Sequence, residues 1–133
     1  MKRVEVVGAV IQNERGEVLC ALRSQHMSVP GLWEFPGGKI EPGEAPDATL
    51  RREIEEELGC AITVGEQVED TTYAYPAVEV RLMTYRARIV SGQPHPREHA
   101  ELRWVPPQGL LSLQWAPADV PAVHRVLADT VLR

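Results

Sequence analysis

"GLWEFPGGKIEPGEAPDATLRREIEEELGC", residues 31–60, decides how this chain folds. Its first half carries Gly31, Gly37, Gly38 and Gly43 among Pro30, Pro36 and Pro42, a density that forbids a regular element and marks a shaped loop. Its second half opens on Pro46 and closes on Gly59. That is the asymmetry of a helix, since proline tolerates the first turn and glycine suits the stop. Residues 51–57 then hold two arginines and four glutamates. At about 100° per residue, Glu53, Glu56 and Glu57 share one stripe, and Leu50, Ile54 and Leu58 form the apolar stripe beside it. Like charges at this spacing repel, and the neighbouring buried face adds a desolvation penalty for each unpaired carboxylate. A hard divalent cation removes the conflict, because Mg2+ takes oxygen ligands and lets phosphate oxygens complete its shell. The competing reading is a solvated face on which Glu55 to Glu57 pair locally with Arg51 and Arg52.

On both sides of this unit the texture is β. "VEVVGAVI" (4–11) and "VLCAL" (18–22), joined by the polar "NERGEV" (13–18), predict a hairpin. Beyond Gly59, "AITVGEQV", "TTYAY" and "VEVRLMTYRARIV" (78–90) predict strands, the last with a bulge where apolar parity switches at Leu82 and Met83. "GQPHP" (92–96) is a loop, and "ELRWV" (101–105) predicts a short strand. From Pro117 onward, Val120, Val123, Leu127 and Val131 recur at helical spacing and predict an amphipathic closing helix. Strands and helices interleave without a regular βαβ alternation and without repeats or linkers. The expectation is one α+β domain over residues 1–133, with a mixed sheet flanked by helices.

Composition narrows the function classes. A chain of 133 residues with 44% apolar and 25% charged residues can bury a core. A net charge of −5 argues against a general nucleic-acid binder, which would present a basic face. The opening apolar run is broken by Glu5 and lacks a small-residue cleavage signal, so neither a membrane span nor a signal peptide is expected. Cys20 and Cys60 form no CxxC pair, and isolated thiols of this kind fit a reducing cytoplasm. Nothing in the residues chooses between a monomer and a homodimer.

From Gly38 the chain reads Gly, five residues, Glu44, seven residues, then Arg52-Glu53-Ile54-Glu55-Glu56-Glu57-Leu58-Gly59-Cys60. This resembles the Nudix box, GX5EX7REUXEEXGU with U a bulky apolar residue, at every fixed identity; Cys60 stands where a branched aliphatic is usual. The likeness reaches beyond the box, from "VGAVI" to "APADVP", and is nearest to MutT-type enzymes and the related CTP pyrophosphohydrolases. It implies the Nudix fold, an α/β/α sandwich around a mixed sheet. It also implies hydrolysis of a nucleoside diphosphate linked to a further group, with Mg2+ or Mn2+ as cofactor. By the same resemblance Glu53, Glu56 and Glu57 are metal ligands, joined by a backbone carbonyl of Gly37 or Gly38. Glu44 and Arg52 are a structural pair, with Arg52 able to orient a ligand carboxylate, and Gly59 ends the helix. Glu98, six residues before Trp104, is the further carboxylate, as ligand or general base; Glu101 is its competitor, better suited to a strand. His26, His95, His99 and His124 show no ligand spacing and are expected on the surface or in loops.

For the nucleotide, the resemblance points to Arg23, Glu34, Phe35, Pro36, Gly37 and Lys39 as pocket residues, with Tyr75 or Trp115 as aromatic walls. Plain core is the competing reading of Trp33 and Phe35. Asp119 occupies the place where the purine-sanitising enzyme has an asparagine. An ionised aspartate only accepts hydrogen bonds, which suits a base edge that donates, cytosine's amine or an edge of 8-oxoguanine. The expected activity is release of a nucleoside monophosphate and pyrophosphate, on oxidised purine or cytidine-type triphosphates. Pro76 lies where the ADP-ribose subgroup often has a proline, a weak marker. A binding module of the same fold would commonly lose one of the carboxylates, and this chain keeps them all.

Overall fold

A computed structural model describes residues 2–132, the side chains of Val131 and Leu132 excepted. The central strand is β1 (Lys2–Ile11), parallel to β6 (Val78–Ser91) and antiparallel to β4 (Gly37–Lys39). β5 (Ala61–Ala74) pairs antiparallel with the far side of β6, so the sheet is mixed with the order β4-β1-β6-β5. Strand residues alternate between faces, and β1 feeds two cores in this way. Val7, Ala9 and Ile11 meet Leu50, Ile54 and Leu58 of α1 (Pro46–Leu58), whereas Val10 packs with Val123 and Val126 of α2 (Val120–Leu132). The result is a helix on each face of the sheet. Among the described residues no helix is long and apolar enough to cross a membrane.

A second, antiparallel sheet comprises β2 (Val18–Leu22) between β3 (Trp33–Glu34) and β7 (Glu101–Val105). This corrects the predicted hairpin. The turn forms, with Asn13 Oδ1 accepting the N–H groups of Arg15 at 3.0 Å and Glu17 at 2.9 Å, but β1 and β2 then part after a lone Gln12–Val18 bridge. Both edges of β1 are already occupied by β4 and β6, so the backbone groups of β2 must find partners elsewhere.

The predicted bulge is also misplaced. "AITVGEQV" and most of "TTYAY" form one strand of 14 residues, and its register against β6 shifts between Val64 and Glu69 and again at Ala61–Ile62, where Val90 of β6 is the extra residue, none of these at Leu82 or Met83. Apolar parity switches in β6 for another reason: the strand is covered on both faces, with Leu82 toward a cleft and Met83 against α1. At the far end, Pro117–Asp119 form a 3-10 turn ahead of α2. Val120 is exposed there, Ala122, Val123 and Val126 carry the packing, and the side chain of Val131 lies outside the described residues.

Candidate active site

The site is built on the loop and helix of residues 37–59. β4 lies so close to β1 that a Cβ on Gly37 would overlap the backbone carbonyl of Val7, and one on Gly38 would overlap the Glu53 carboxyl. Glycine here is a requirement of close approach. Glu44 is tied down by four donors: Arg52 Nε at 2.8 Å and Nη2 at 2.9 Å, Thr49 Oγ1 at 2.8 Å and the Glu41 N–H at 3.1 Å. Those bonds, Arg52 first, hold its carboxyl down at about 2. Arg52 also donates from Nη1 to Glu53 at 2.9 Å and stands 3.4 Å from Glu56.

Along the helix the balance changes. Burial, partly offset by Arg52, raises the Glu53 carboxyl above its ordinary range. Glu57 is pushed up to about 8, first by burial and then by the charges of Glu53, Glu34 and Glu98. Its Oε1 is buried without a hydrogen-bond partner. Glu56 is mostly exposed. Glu98 is exposed too and comes from another part of the chain, on a loop pinned to the C-terminal end of α1. The His95 N–H donates to the Leu58 carbonyl at 2.9 Å, and Arg97 Nη1 donates to the carbonyls of Glu55 and Glu56 at 3.2 Å. Gly59, at φ 74°, both closes the helix and leaves space for the Arg97 guanidinium. Glu101, the competitor, lies in β7 and pairs with Arg103 at 2.8 Å.

Among the described residues no three carboxylate, imidazole or thiol groups converge as a ready-made metal shell. The donor set nonetheless fits a hard cation: all-oxygen ligands, an orphaned buried carboxylate oxygen on Glu57, and a Gly38 backbone with no Cβ between it and Glu53.

A cleft of about 810 Å3 opens beside this cluster. Gly37, Gly38, Lys39, Glu53 and Glu57 line one part of it, and Arg23, Glu34, Phe35, Tyr75 and Asp119 another. The isolated Trp33–Trp115 bridge draws the segment before α2 alongside β3. Asp119 Oδ2 thereby accepts the Phe35 N–H at 3.0 Å. The Asp119 carboxyl is almost wholly buried, and burial, then the charge of Glu34, raises it well above the usual carboxylate range. In this contact Asp119 acts as an acceptor.

Other expectations fall outside the cleft. Pro36 is buried, its carbonyl taken by the Ala9 N–H at 2.8 Å. Trp115 is no wall: its ring packs 4.8 Å from Phe35 within the core, and its Nε1 donates to the Leu110 carbonyl. Trp33 is core as well, whereas Phe35 is both core and lining. Arg52, Glu56 and Glu98 do not line the cleft.

His99 corrects the expectation for the histidines. Its side chain has no exposed surface, and Nε2 lies 2.8 Å from Glu34 Oε2. His26, His95 and His124 are exposed. Sequence reading missed Arg97 as well; no local pattern marked it.

Residues 2–126 match the NUDIX domain family model. The chain is 38% identical over 128 residues to the CTP pyrophosphohydrolase of Escherichia coli strain K12, covering 96% of this chain and 94% of that one. It is 33% identical over 129 residues to the 8-oxo-dGTP diphosphatase of Haemophilus influenzae, covering 97% and 95%. The solution structure of MutT, a Nudix hydrolase from methicillin-resistant Staphylococcus aureus 252, superposes with a TM-score of 0.79 at 42% identity, covering 97% and 99%. The box on α1, the sandwich around it and these likenesses have one meaning: the chain belongs to the Nudix hydrolase family.

Proposed function

We propose that this chain is a nucleoside triphosphate pyrophosphohydrolase that releases a nucleoside monophosphate and pyrophosphate. The observation that carries the reading is Glu57: a half-buried carboxyl whose Oε1 is buried without a partner, beside Glu53, at the wall of a cleft that also holds Asp119. Such a group is costly unless a cation joins it. Glu53, Glu56 and Glu57 are the ligands we assign to Mg2+, or Mn2+ in its place, with a Gly37 or Gly38 carbonyl beside them and Glu98 as a further ligand or the general base. The chemistry a divalent cation supplies when bound is neutralisation of phosphate charge and acidification of water.

The chain's own residues do the rest. Glu98, tethered through Arg97 to α1, is the candidate to take the proton of the attacking water. Arg52 holds Glu44 and Glu53 in place, and the exposed ammonium of Lys39 meets the polyphosphate at the cleft wall. Arg23, Glu34 and Phe35 border the base, and Asp119 reads it. With Oδ2 engaged by the Phe35 N–H, Asp119 has its other oxygen to accept from a donating base edge, and an edge of 8-oxoguanine is the first such reading, supported by the likeness to the 8-oxo-dGTP diphosphatase. Cytidine triphosphates are the second reading, supported by the likeness to the CTP pyrophosphohydrolase. The 1–133 chain is read as one domain. Its two free buried cysteines and net charge of −5 support a cytoplasmic enzyme that acts on nucleotides rather than nucleic acid.

A panel assay tests this. Pyrophosphate release is measured with 8-oxo-dGTP, dCTP, 5-substituted dCTP and ADP-ribose, with Mg2+ and with chelator. Turnover of a triphosphate that chelator abolishes is the expected result; binding without turnover would sink the reading.

A further inference from the structure

Residues 23–32 form a loop between β2 and β3, closed at its base by the Arg23 N–H to the Leu32 carbonyl at 2.9 Å and the Gly31 N–H to the Arg23 carbonyl at 3.0 Å. Its tip contributes Met27, Ser28 and Val29 to the cleft wall. Val29 has φ 47°, the left-handed region, and is the only non-glycine with positive φ among the described residues. A β-branched side chain does not rest there unless its surroundings hold it. The hold comes from Arg23. Its Nε donates to the Ser28 carbonyl, its Nη2 to Ser28 Oγ at 2.9 Å, and its Nη1 to Glu34 Oε1.

The chain of contacts continues inward. Glu34 Oε2 takes Nε2 of His99 at 2.8 Å. A carboxylate only accepts, so the ring proton faces it. His99 Nδ1 is buried and has no partner among the described residues. Among the described residues the imidazole's sole polar contact is therefore this cleft carboxylate. Three strand ends meet here: Arg23 follows β2, Glu34 ends β3 and His99 precedes β7.

We propose that His99 is a positioning residue for the nucleotide cleft, fixing Glu34, through it Arg23, and through Arg23 the 24–31 loop that carries Val29. The inference rests on the proposed reading of the cleft. Without His99, Glu34 is free to rotate, Arg23 loses the partner that aims it at Ser28, and the loop relaxes away from the bound nucleotide. Glu34 and Arg23 have side-chain exposures of 14% and 16%, so water replaces the Arg23–Glu34 and Glu34–His99 bonds poorly, whereas the Arg23–Ser28 bonds beyond them are exposed and depend on how Arg23 is aimed.

The test uses the full chain with H99Q, H99N and H99L. Glutamine places its amide nitrogen the same number of bonds from Cβ as Nε2 of histidine; asparagine falls one bond short. Two measurements are made: KM and kcat for the triphosphate that wild type hydrolyses best, and hydrogen exchange of amides 24–31 in nucleotide-free protein. H99N and H99L are expected to raise KM by roughly 10- to 100-fold, the range for loss of a bond to a charged group, with kcat within about 3-fold. Loop exchange should quicken in both. H99Q should restore KM and loop protection, and its comparison with H99N stands even if H99L fails to fold. The proposal is overturned if H99Q is no better than H99N, if the loss falls in kcat alone, or if loop exchange is unchanged. Should wild type hydrolyse no nucleotide, the functional reading falls, and the exchange measurement still decides whether His99 holds the loop.

Discussion

Glu44 and Glu57 belong to the same loop and helix, yet their surroundings drive them in opposite directions. Glu44 receives four hydrogen bonds and is held at about 2. Glu57 receives none on its buried oxygen, faces three other carboxylates and is pushed up to about 8. The contrast separates two uses of one residue type. A carboxylate whose lone pairs are all met inside the fold is structural, clamping loop to helix. A carboxylate left crowded and desolvated is unfinished, and the divalent cation we propose, with its phosphate ligand, would complete it.

The largest effect that would break this contrast is on Glu57. E57Q should lower turnover by about 100-fold or more, since it removes a charge that works only with the cation and the reacting phosphate in place. Its melting temperature without divalent metal should equal or exceed that of wild type, because an amide leaves no charge to desolvate. Added Mg2+ should raise the melting temperature of wild type more than that of the variant. Thermal scans with and without metal, beside steady-state assays, check both halves; near-normal turnover would dissolve the distinction.

Next come the adjacent glycines. G37A drives a Cβ into immovable Val7 backbone and should destabilise the protein by about 1–3 kcal/mol in urea unfolding. G38A meets only the movable end of Glu53, so stability should hold while kcat falls by about 10-fold. Equal stability losses in both would place Gly38 with the fold rather than the site.

At the other wall of the cleft, D119A strips the buried Phe35 N–H of its acceptor and should cost about 1–3 kcal/mol. D119N keeps that acceptor and should hold stability while changing the preferred base across the nucleotide panel. An unaltered panel would remove Asp119 from base reading.

The smallest effect concerns acid stability. The folded value of Glu44, about 2, lies below its ordinary value of 4.5. Its contribution is therefore complete above about pH 4.5 and is lost as pH falls toward about 2. E44Q lacks that contribution. Wild type should be the more stable at neutral pH, with the gap narrowing below about pH 4.5 in denaturant titrations. A gap constant with pH would show that the Arg52 clamp does not depend on the Glu44 charge.

The parts legible in the residues were the periodic ones. α1 runs from Pro46 to Leu58 with Gly59 as its left-handed stop, because proline, glycine and a 3.6-residue period act within a few positions of themselves. β7 at Glu101–Val105 was equally visible. The β1–β2 hairpin failed because strand choice depends on which edges are already taken. The bulge was sought at Leu82 and Met83, where pairing with β5 is regular, since a central strand covered on both faces looks irregular in parity without being so there. His99 resembled any loop histidine, because nothing local announces that β2, β3 and β7 bring Glu34 to it. Arg97 gave no sign either, as the carbonyls it binds lie more than 40 residues away.

Residues 31–60 by themselves determined the helix, the carboxylates on its acidic stripe and the glycines beside them, since spacing on a helix is a property of the chain alone. Only the tertiary structure decided which of those carboxylates are satisfied and which are stranded, that Asp119 is buried against Phe35, and that His99 meets Glu34, which in turn meets Arg23. Burial and partnership are set by what packs around a group, and distant segments do that packing.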